Sequence, residues 1–231
     1  MHHENRDYNE RLFKKGLRSR WHLARFLWLE KMIKDLNIEA KSVVELGCYD
    51  GKTINFIHPT PEYYVGYDAN WEGGLDIARN NWKNKNYHFF LCRYPNEIKE
   101  TEFFDISVCM ETLEHIPSDL VEPYIEKLST ITNNYLFVTV PIEKGPIFLF
   151  KHLSKMLLGY SHEDYTLKEF ILASIGLTKY VHRNQHKGFD YNEIIKTVSK
   201  HFEIIKVQPH PVRFLPRIFG IGIGIVARKK K

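Results

Sequence analysis

Apolar and polar residues form two kinds of pattern along the chain, short apolar runs and apolar positions at helical spacing. Short apolar runs, rich in β-branched and aromatic residues, predict strands. In chain order these runs are SVVELGC, YYVGYDA, YHFFLCR, FFDISVCM and NYLFVTVP. Before and between them, apolar residues recur at helical spacing, for example in residues 20–36 and in LVEPYIEKLSTI. Strands that alternate with helices predict a parallel sheet covered on both faces, which is an α/β fold.

The alternation stops after the fifth predicted strand. Two helices, GPIFLFKHLSKMLLGY and TLKEFILASIGL, are predicted there and form a helical insertion at 142–190. A helix, YNEIIKTVSKHF, and two strands, FEIIKVQPH and GIGIVARKK, then complete the chain. Since no helix separates the last two strands, we expect them to form an antiparallel pair. We expect one domain over 1–231, with residues 1–38 as an N-terminal helical cap.

Composition is that of an ordinary globular protein. Of the 231 residues, 43% are hydrophobic and 26% are charged. The net charge is +5 and the isoelectric point about 8.9, with part of the excess in the terminal ARKKK. We expect this tail to be solvated; contact with nucleic acid or an anionic membrane surface is the alternative.

Cysteine usage and hydropathy indicate a cytoplasmic protein. The three cysteines show no CxxC spacing, which argues against a disulfide framework and against a thiolate zinc site. The N-terminal MHHENRDYNERLFKKG is too polar for a signal peptide. No apolar stretch reaches the ~18 residues needed to span a bilayer.

A glycine-containing turn, VELGCYDG, follows the first predicted strand. Gly47 and Gly51 allow a tight turn and a close approach of the backbone to a ligand. Asp68 ends the second strand, where an acid can accept hydrogen bonds from both hydroxyls of a ribose. The turn lacks the G-x-G-x-x-G spacing of an NAD(P)-dependent dehydrogenase. The remaining alternative is a plain connection between strand and helix.

With these motifs, residues 40–230 resemble the class I S-adenosylmethionine-dependent methyltransferases. VELGCYDG is similar to the family's first motif, YVGYDAN to its second and FDISVCMETLEHI to its fourth. The resemblance implies a Rossmann-like seven-stranded sheet, mostly parallel, with an antiparallel C-terminal hairpin. Tyr49 departs from the pattern, because a glycine is common at its position. The implied cofactor-binding residues are Glu45, Gly47, Cys48, Tyr49, Gly51, Asp68, Ala69, Cys92 and Met110.

The stretch METLEHIP, at 110–117, carries candidate chemistry at the end of the fourth strand. Glu111, Glu114 and His115 have i, i+3, i+4 spacing, which would place them on one face of a helix. They are either a solvated helix start or ligands of one cation. Glu-x-x-Glu-His with a distant histidine, His186 in RNQHKGFDY, resembles the metal site of small-RNA 3′-terminal 2′-O-methyltransferases. Ubiquinone-biosynthesis O-methyltransferases share the Glu-x-x-Glu-His part.

This resemblance implies a divalent cation held by Glu111, Glu114, His115 and His186. Two carboxylates and two imidazoles suit Mg²⁺, Mn²⁺, Fe²⁺ or Zn²⁺. Gly188, inserted after "HK", departs from the pattern, and a loop histidine bonded to the backbone is the alternative for His186. The candidate catalytic residues are Glu111, His115 and His162, because an unligated His115 or His162 could act as general base instead.

The acceptor is indicated by a broader likeness to methyltransferases of bacterial surface-polysaccharide synthesis. We therefore expect O-methylation of a sugar hydroxyl in a glycan or nucleotide-sugar. The alternatives are an RNA ribose 2′-hydroxyl and a noncatalytic methyltransferase-like scaffold subunit. In the insertion, Phe150, Leu153 and Leu157 share one helical face. That face would pack on the domain or in a dimer; contact with lipid at the inner membrane surface is the alternative.

Overall fold

The described residues of the computed structural model, 17–71, 73–99, 102–157, 165–212 and 216–230, contain one seven-stranded sheet. Its strands are β1 (Ser42–Leu46), β2 (Tyr63–Asp68), β3 (Tyr87–Leu91), β4 (Phe104–Met110), β5 (Thr132–Pro141), β6 (Phe202–His210) and β7 (Gly222–Lys229). The strand order is β3-β2-β1-β4-β5-β7-β6. The first five strands pair in parallel, and β7 runs antiparallel to both β5 and β6. The predicted fold class and the antiparallel C-terminal pair are confirmed.

Six helices accompany the sheet in the described part of the chain. They are α1 (Leu17–Asp35), α2 (Gly74–Asn81), α3 (Ser118–Ile131), α4 (Gly145–Leu157), α5 (Leu167–Ser174) and α6 (Tyr191–His201). The helix-like segment after β1 is a short 3-10 helix, Lys52–Phe56. No described helix is both long enough and apolar enough to cross a bilayer.

The sheet buries a hydrophobic layer on each face. Adjacent residues of a strand point to opposite sides, so Val43 packs in the layer with α1 and α2, and Val44 in the layer with α3 and α6. Trp28 anchors α1 against β7 and is 2% exposed. A Cβ at Gly224 would lie 2.2 Å from its ring, so only glycine permits this approach. Each fully buried large side chain contributes about 1.5–3 kcal/mol.

The basic C-terminal residues 228–230 combine solvent exposure with bonds to the domain: Arg228 and Lys230 are exposed, and Lys229 is half-buried. Arg228 lies within β7 and pairs with Glu203 at 2.7 Å. Lys229 donates to the carbonyl of Ser129, near the C-terminus of α3, and Lys230 donates to carbonyls at the end of α6. Lysines satisfy the free carbonyls of helix C-termini and interact favourably with the helix dipole. The strand predicted over GIGIVARKK does continue into the basic run, as far as Lys229.

The insertion has its own small apolar cluster, in which Phe148 of α4 packs with Ala173 of α5 and Val181. The opposite face of α4 is open: Phe150 is 61% exposed and Leu157 is 88% exposed. Leu153, on the same face, is also exposed. Whether this face packs on the domain, on a second copy in a dimer or on lipid stays a prediction. The three cysteines, Cys48, Cys92 and Cys109, are free and buried.

Candidate active site

A cavity of about 620 Å³ opens where β1, β2 and β4 end. Ligands of open α/β sheets bind at these carboxyl ends of parallel strands. Gly47 and Asp68 line one part of the cavity, and Glu111, His115 and Arg25 line another. The turn and the METLEHIP stretch therefore face the same space.

The turn after β1 depends on two close approaches that need small residues. Gly47 has φ +77°, and a Cβ there would lie 2.0 Å from Thr112 Oγ1. Tyr49 is not glycine, yet it adopts φ +46°. Such a conformation costs on the order of 1–3 kcal/mol in a non-glycine residue. The ring of Tyr49 packs over Gly74 at the start of α2, where a Cβ would lie 2.4 Å from the ring. Gly74 thus accommodates the departure from the usual glycine motif.

Asp68 ends β2 inside the cavity and holds the turn from there. Its Oδ2 accepts a hydrogen bond from the Tyr49 backbone N–H at 3.0 Å, and its Oδ1 accepts from the Asn70 N–H at 2.6 Å. Burial raises the pKa of Asp68, and the two backbone hydrogen bonds oppose that rise. Each carboxylate oxygen still has a second acceptor site. The residue therefore fits a diol ligand such as a ribose.

Of the nine predicted cofactor-binding residues, six line the cavity: Gly47, Tyr49, Asp68, Ala69, Cys92 and Met110. The other three, Glu45, Cys48 and Gly51, are not among its described lining residues. Cys48 lies under Gly66, and Gly51 faces the indole of Trp82. These three shape the turn from behind, and cofactor contact by all nine remains a prediction.

Glu45 is buried beneath the turn. Its carboxylate accepts hydrogen bonds from Thr53 Oγ1 at 2.6 Å and from the Tyr64 hydroxyl. Burial raises the pKa of Glu45 to about 7, although both hydroxyls lower it. Cys92 is also buried, and burial raises its pKa to about 11. A buried thiol of this kind behaves as a small hydrophobe with little reactivity.

The METLEHIP stretch forms a turn before α3, and the expectation of one shared helical face is wrong. The helix begins only at Ser118. Glu111 has φ +50°, and its N–H donates to Thr139 O at 2.9 Å, which extends the β4–β5 pairing by one residue. The His115 N–H then closes a turn on Thr112 O at 3.0 Å. The left-handed residue after the strand redirects the chain before a helix can start.

The turn nevertheless brings candidate ligands together. One ligand atom each from Glu114, His115 and His186 lie within 4.8 Å of one another. The ring centroids of the two histidines are 4.7 Å apart. Glu111, the fourth predicted ligand, is not part of this group, although it lies near enough to raise the pKa of Glu114. The structure therefore gathers three of the four predicted ligands.

Glu114 is a buried carboxylate whose oxygens accept no hydrogen bond from another described residue. Burial, followed by the charges of Glu111 and Glu143, holds its pKa well above the ordinary value. Burial also raises the pKa of Glu111, against the opposing charge of Arg25. A buried carboxylate without hydrogen bonds is expensive unless a proton or a cation neutralises it. The donor set of two imidazoles and a carboxylate fits a divalent transition metal such as Zn²⁺ or Fe²⁺.

His115 is the member of the group that reaches the cavity. Burial lowers its pKa to about 4, with a further contribution from His186. The imidazole is therefore neutral at physiological pH and can ligate a cation or accept a proton. The exposed indole of Trp71 lies edge-on to it, with ring centroids 6.5 Å apart. His162, the other candidate base, lies outside the described residues.

Sequence reasoning missed Glu143, Lys151 and Arg25. Glu143 is buried two residues after β5, and its Oε1 accepts a hydrogen bond from Lys151 and lies 3.3 Å from His186 Nδ1. Burial raises its pKa, but Lys151 and His186 outweigh this and hold it near 2. The position of Glu143 after a strand end in VPIEKG was the available signal. Arg25 lies mid-helix in α1, where nothing in the local sequence distinguishes it.

The fold and the turn define the class: the chain has the fold of the class I S-adenosylmethionine-dependent methyltransferases. A methyltransferase of that type from Clostridium acetobutylicum ATCC 824 has a TM-score of 0.65 at 14% identity, covering 98% of this chain and 100% of that one. Magnesium protoporphyrin IX methyltransferase from Synechocystis PCC 6803, with bound SAH, has a TM-score of 0.59 at 14% identity, with 96% and 92% covered.

Sequence relatives give a shorter match. A ubiquinone biosynthesis O-methyltransferase of Coxiella burnetii is 28% identical over 98 residues, which are 42% of this chain and 42% of that protein. The matched part thus spans about two-fifths of the relative's length. No protein-family model matches the chain.

Proposed function

We propose that this protein is an S-adenosylmethionine-dependent O-methyltransferase that acts on a sugar hydroxyl with the help of a divalent cation. The carrying observation is the group of buried Glu114 with the half-buried His115 and His186, beside the cavity that Asp68 lines. The binding sites of the methyl donor and of the acceptor hydroxyl would then lie in one cavity.

The cofactor half of the proposal rests on the turn after β1. Gly47 brings the backbone close to the cavity, and Asp68 offers a carboxylate to a ribose. When bound, the sulfonium of the cofactor supplies an activated methyl group. The chain's own contribution is to hold that group in line with an acceptor oxygen and to exclude water from the line of approach.

The acceptor half rests on the group after β4. A hydroxyl is a poor nucleophile until its proton leaves. A cation held by Glu114, His115 and His186 would lower the pKa of a neighbouring hydroxyl. In the alternative within the same function, neutral His115 takes the proton directly as general base. A chelator distinguishes these two mechanisms, because only the cation-assisted mechanism requires a metal.

The sugar acceptor is supported by the surface around His115 and by the charge of the protein. The exposed indole of Trp71 offers an apolar face on which a sugar ring could lie. RNA ribose 2′-O-methylation is the second candidate function, favoured by the Glu-His-His group itself. RNA binding relies on basic side chains that reach phosphates, whereas Arg228 pairs with Glu203 and Lys229 and Lys230 donate to backbone carbonyls of the domain.

The proposal is tested by radiolabelled methyl transfer to nucleotide-sugars, oligosaccharides and short RNAs, with and without chelator. We expect activity on a sugar acceptor that is lost in EDTA and restored by one of Mg²⁺, Mn²⁺, Fe²⁺ or Zn²⁺. Faster methylation of RNA 3′ ends than of any sugar would replace the acceptor assignment. Full activity in EDTA would remove the cation and leave His115 as the base.

A variant of Glu114 separates the two halves of the site. Glu114→Gln should reduce methyl transfer by 100-fold or more, in the range expected when a metal ligand is lost. Calorimetry with S-adenosylhomocysteine should give unchanged affinity, because Glu114 lies outside the cofactor part of the cavity. Glu126→Gln, on the exposed face of α3, is the matched control and should match the wild type. If the wild-type protein itself bound no cofactor, the result would support a noncatalytic scaffold.

A further inference from the structure

Glu143 joins three segments at one buried point. Its backbone follows β5, its Oε1 accepts a hydrogen bond from Lys151 of α4, and the same oxygen lies 3.3 Å from Nδ1 of His186. The His186 Nδ1 is buried, and among the described residues it makes no hydrogen bond of regular geometry, so its approach to Glu143 Oε1 is a close polar contact at 3.3 Å. The side chain of Glu143 is fully buried, so solvent does not compete for the contact.

We propose that Glu143 is a positioning residue that holds His186 in the Nδ1–H tautomer, so that Nε2 points to the group formed with Glu114 and His115. This inference rests on the proposed function, since the orientation matters for a histidine that ligates a cation. A carboxylate that accepts the outer N–H of a ligating histidine fixes its tautomer and ring orientation and raises its basicity. Lys151 supplies a counter-charge to Glu143, which links the inserted helix α4 to the geometry of the site.

A second carboxylate nearby provides a control for simple anchoring of the His186 loop. Glu169, at the start of α5, lies 2.9 Å from Nζ of Lys187 and accepts a hydrogen bond from the N–H of His182. It therefore holds the same loop as Glu143 does, and among the described residues no contact between it and His186 is found. If loop anchoring were the whole effect, removing the charge of either carboxylate would disturb His186 equally.

The tautomer can be read without any metal. Two-dimensional ¹⁵N NMR of the histidine rings at pH 8 distinguishes Nδ1–H from Nε2–H, and His186→Ala assigns the signal. We expect Nδ1–H for His186 in the wild type, a shift toward Nε2–H in Glu143→Gln, and no change in Glu169→Gln. An Nε2–H tautomer in the wild type would overturn the proposal, even if Glu143→Gln failed to fold.

Cation binding provides the second readout. Calorimetry with MnCl₂ should show about a 10- to 100-fold weaker affinity for Glu143→Gln and less than a twofold change for Glu169→Gln. Weaker binding with an unchanged Nδ1–H tautomer would make Glu143 a direct ligand and would refute the positioning role. Absence of Mn²⁺, Mg²⁺, Fe²⁺ and Zn²⁺ binding in the wild type would refute the proposed cation instead, while the NMR result would still decide the tautomer.

Discussion

Replacing Glu45 by glutamine should change the pH dependence of stability in a defined direction. Burial raises the pKa of Glu45 from 4.5 to about 7, so the folded state binds a proton more tightly than the unfolded chain does. A raised pKa contributes stability that is fully present below the unfolded value and is lost as pH rises through the folded value. Ionised Glu45 therefore weakens the wild type progressively between about pH 4.5 and 7, and glutamine, which never ionises, does not.

The magnitude follows from linkage. Relative to a group that stays protonated in both states, the raised pKa of Glu45 lowers the free energy of unfolding by about 1 kcal/mol at pH 5 and by about 3 kcal/mol at pH 8. The contacts of glutamine with Thr53 and Tyr64 differ from those of glutamate, but that difference does not depend on pH in this range. Relative to the wild type, Glu45→Gln should therefore gain roughly 2–3 kcal/mol of unfolding free energy from pH 5 to pH 8.

Urea unfolding followed by tryptophan fluorescence, repeated at several pH values without cofactor, measures this difference. Glu62→Gln removes an exposed carboxylate just before β2 and should show a difference from wild type that is nearly flat with pH. A flat difference for Glu45→Gln as well, or one that falls as pH rises, would refute the reasoning. The buried carboxyl would then be ionised throughout the range.

Two further predictions concern the turn after β1. Asp68→Ala should weaken S-adenosylhomocysteine binding by at least about tenfold in calorimetry, because charge-assisted bonds contribute about 1.5–3 kcal/mol each; unchanged affinity would remove Asp68 from the ribose. Gly74→Ala should lower the thermal midpoint, because its Cβ would lie 2.4 Å from the Tyr49 ring, and Tyr49→Gly in the same chain should abolish most of that loss.

The sheet was predictable from sequence because its strands are buried on both faces. Parallel strands covered by helices read as continuous apolar runs, and such runs are visible one by one in FFDISVCM and NYLFVTVP. The closing antiparallel pair followed from the missing helix between two strands. The predicted run GIGIVARKK also covered the end of β7, but the carboxylate and carbonyl partners of Arg228 and Lys229 are visible only in the fold.

The candidate site was predictable in its residue types and only partly in its geometry. The i, i+3, i+4 spacing of METLEHIP suggested a helix, but Glu111 takes a left-handed conformation and separates from Glu114 and His115. The spacing of residues in the sequence gives no information about the hydrogen bond that the Glu111 N–H donates to Thr139 O on the neighbouring strand. Glu143 and His186 are 43 positions apart by their numbers, so their contact depends on how the insertion folds back.

The negative charge around Glu114 could be neutralised in two ways, by a proton on its carboxylate or by a bound cation. Glu111, Glu114 and Glu143 place three carboxylates in one region, and Arg25, Lys151 and His186 are described residues whose positive charge lowers the pKa of one or more of them. A proton on Glu114 would remove the excess charge, but it would turn one oxygen into a donor, and no other described residue accepts from it. A buried donor without an acceptor costs about 1–3 kcal/mol. A cation needs only lone pairs, which Glu114, His115 and His186 all offer. Under the proposed function, a metal ion would therefore balance this site without leaving a buried donor unpaired.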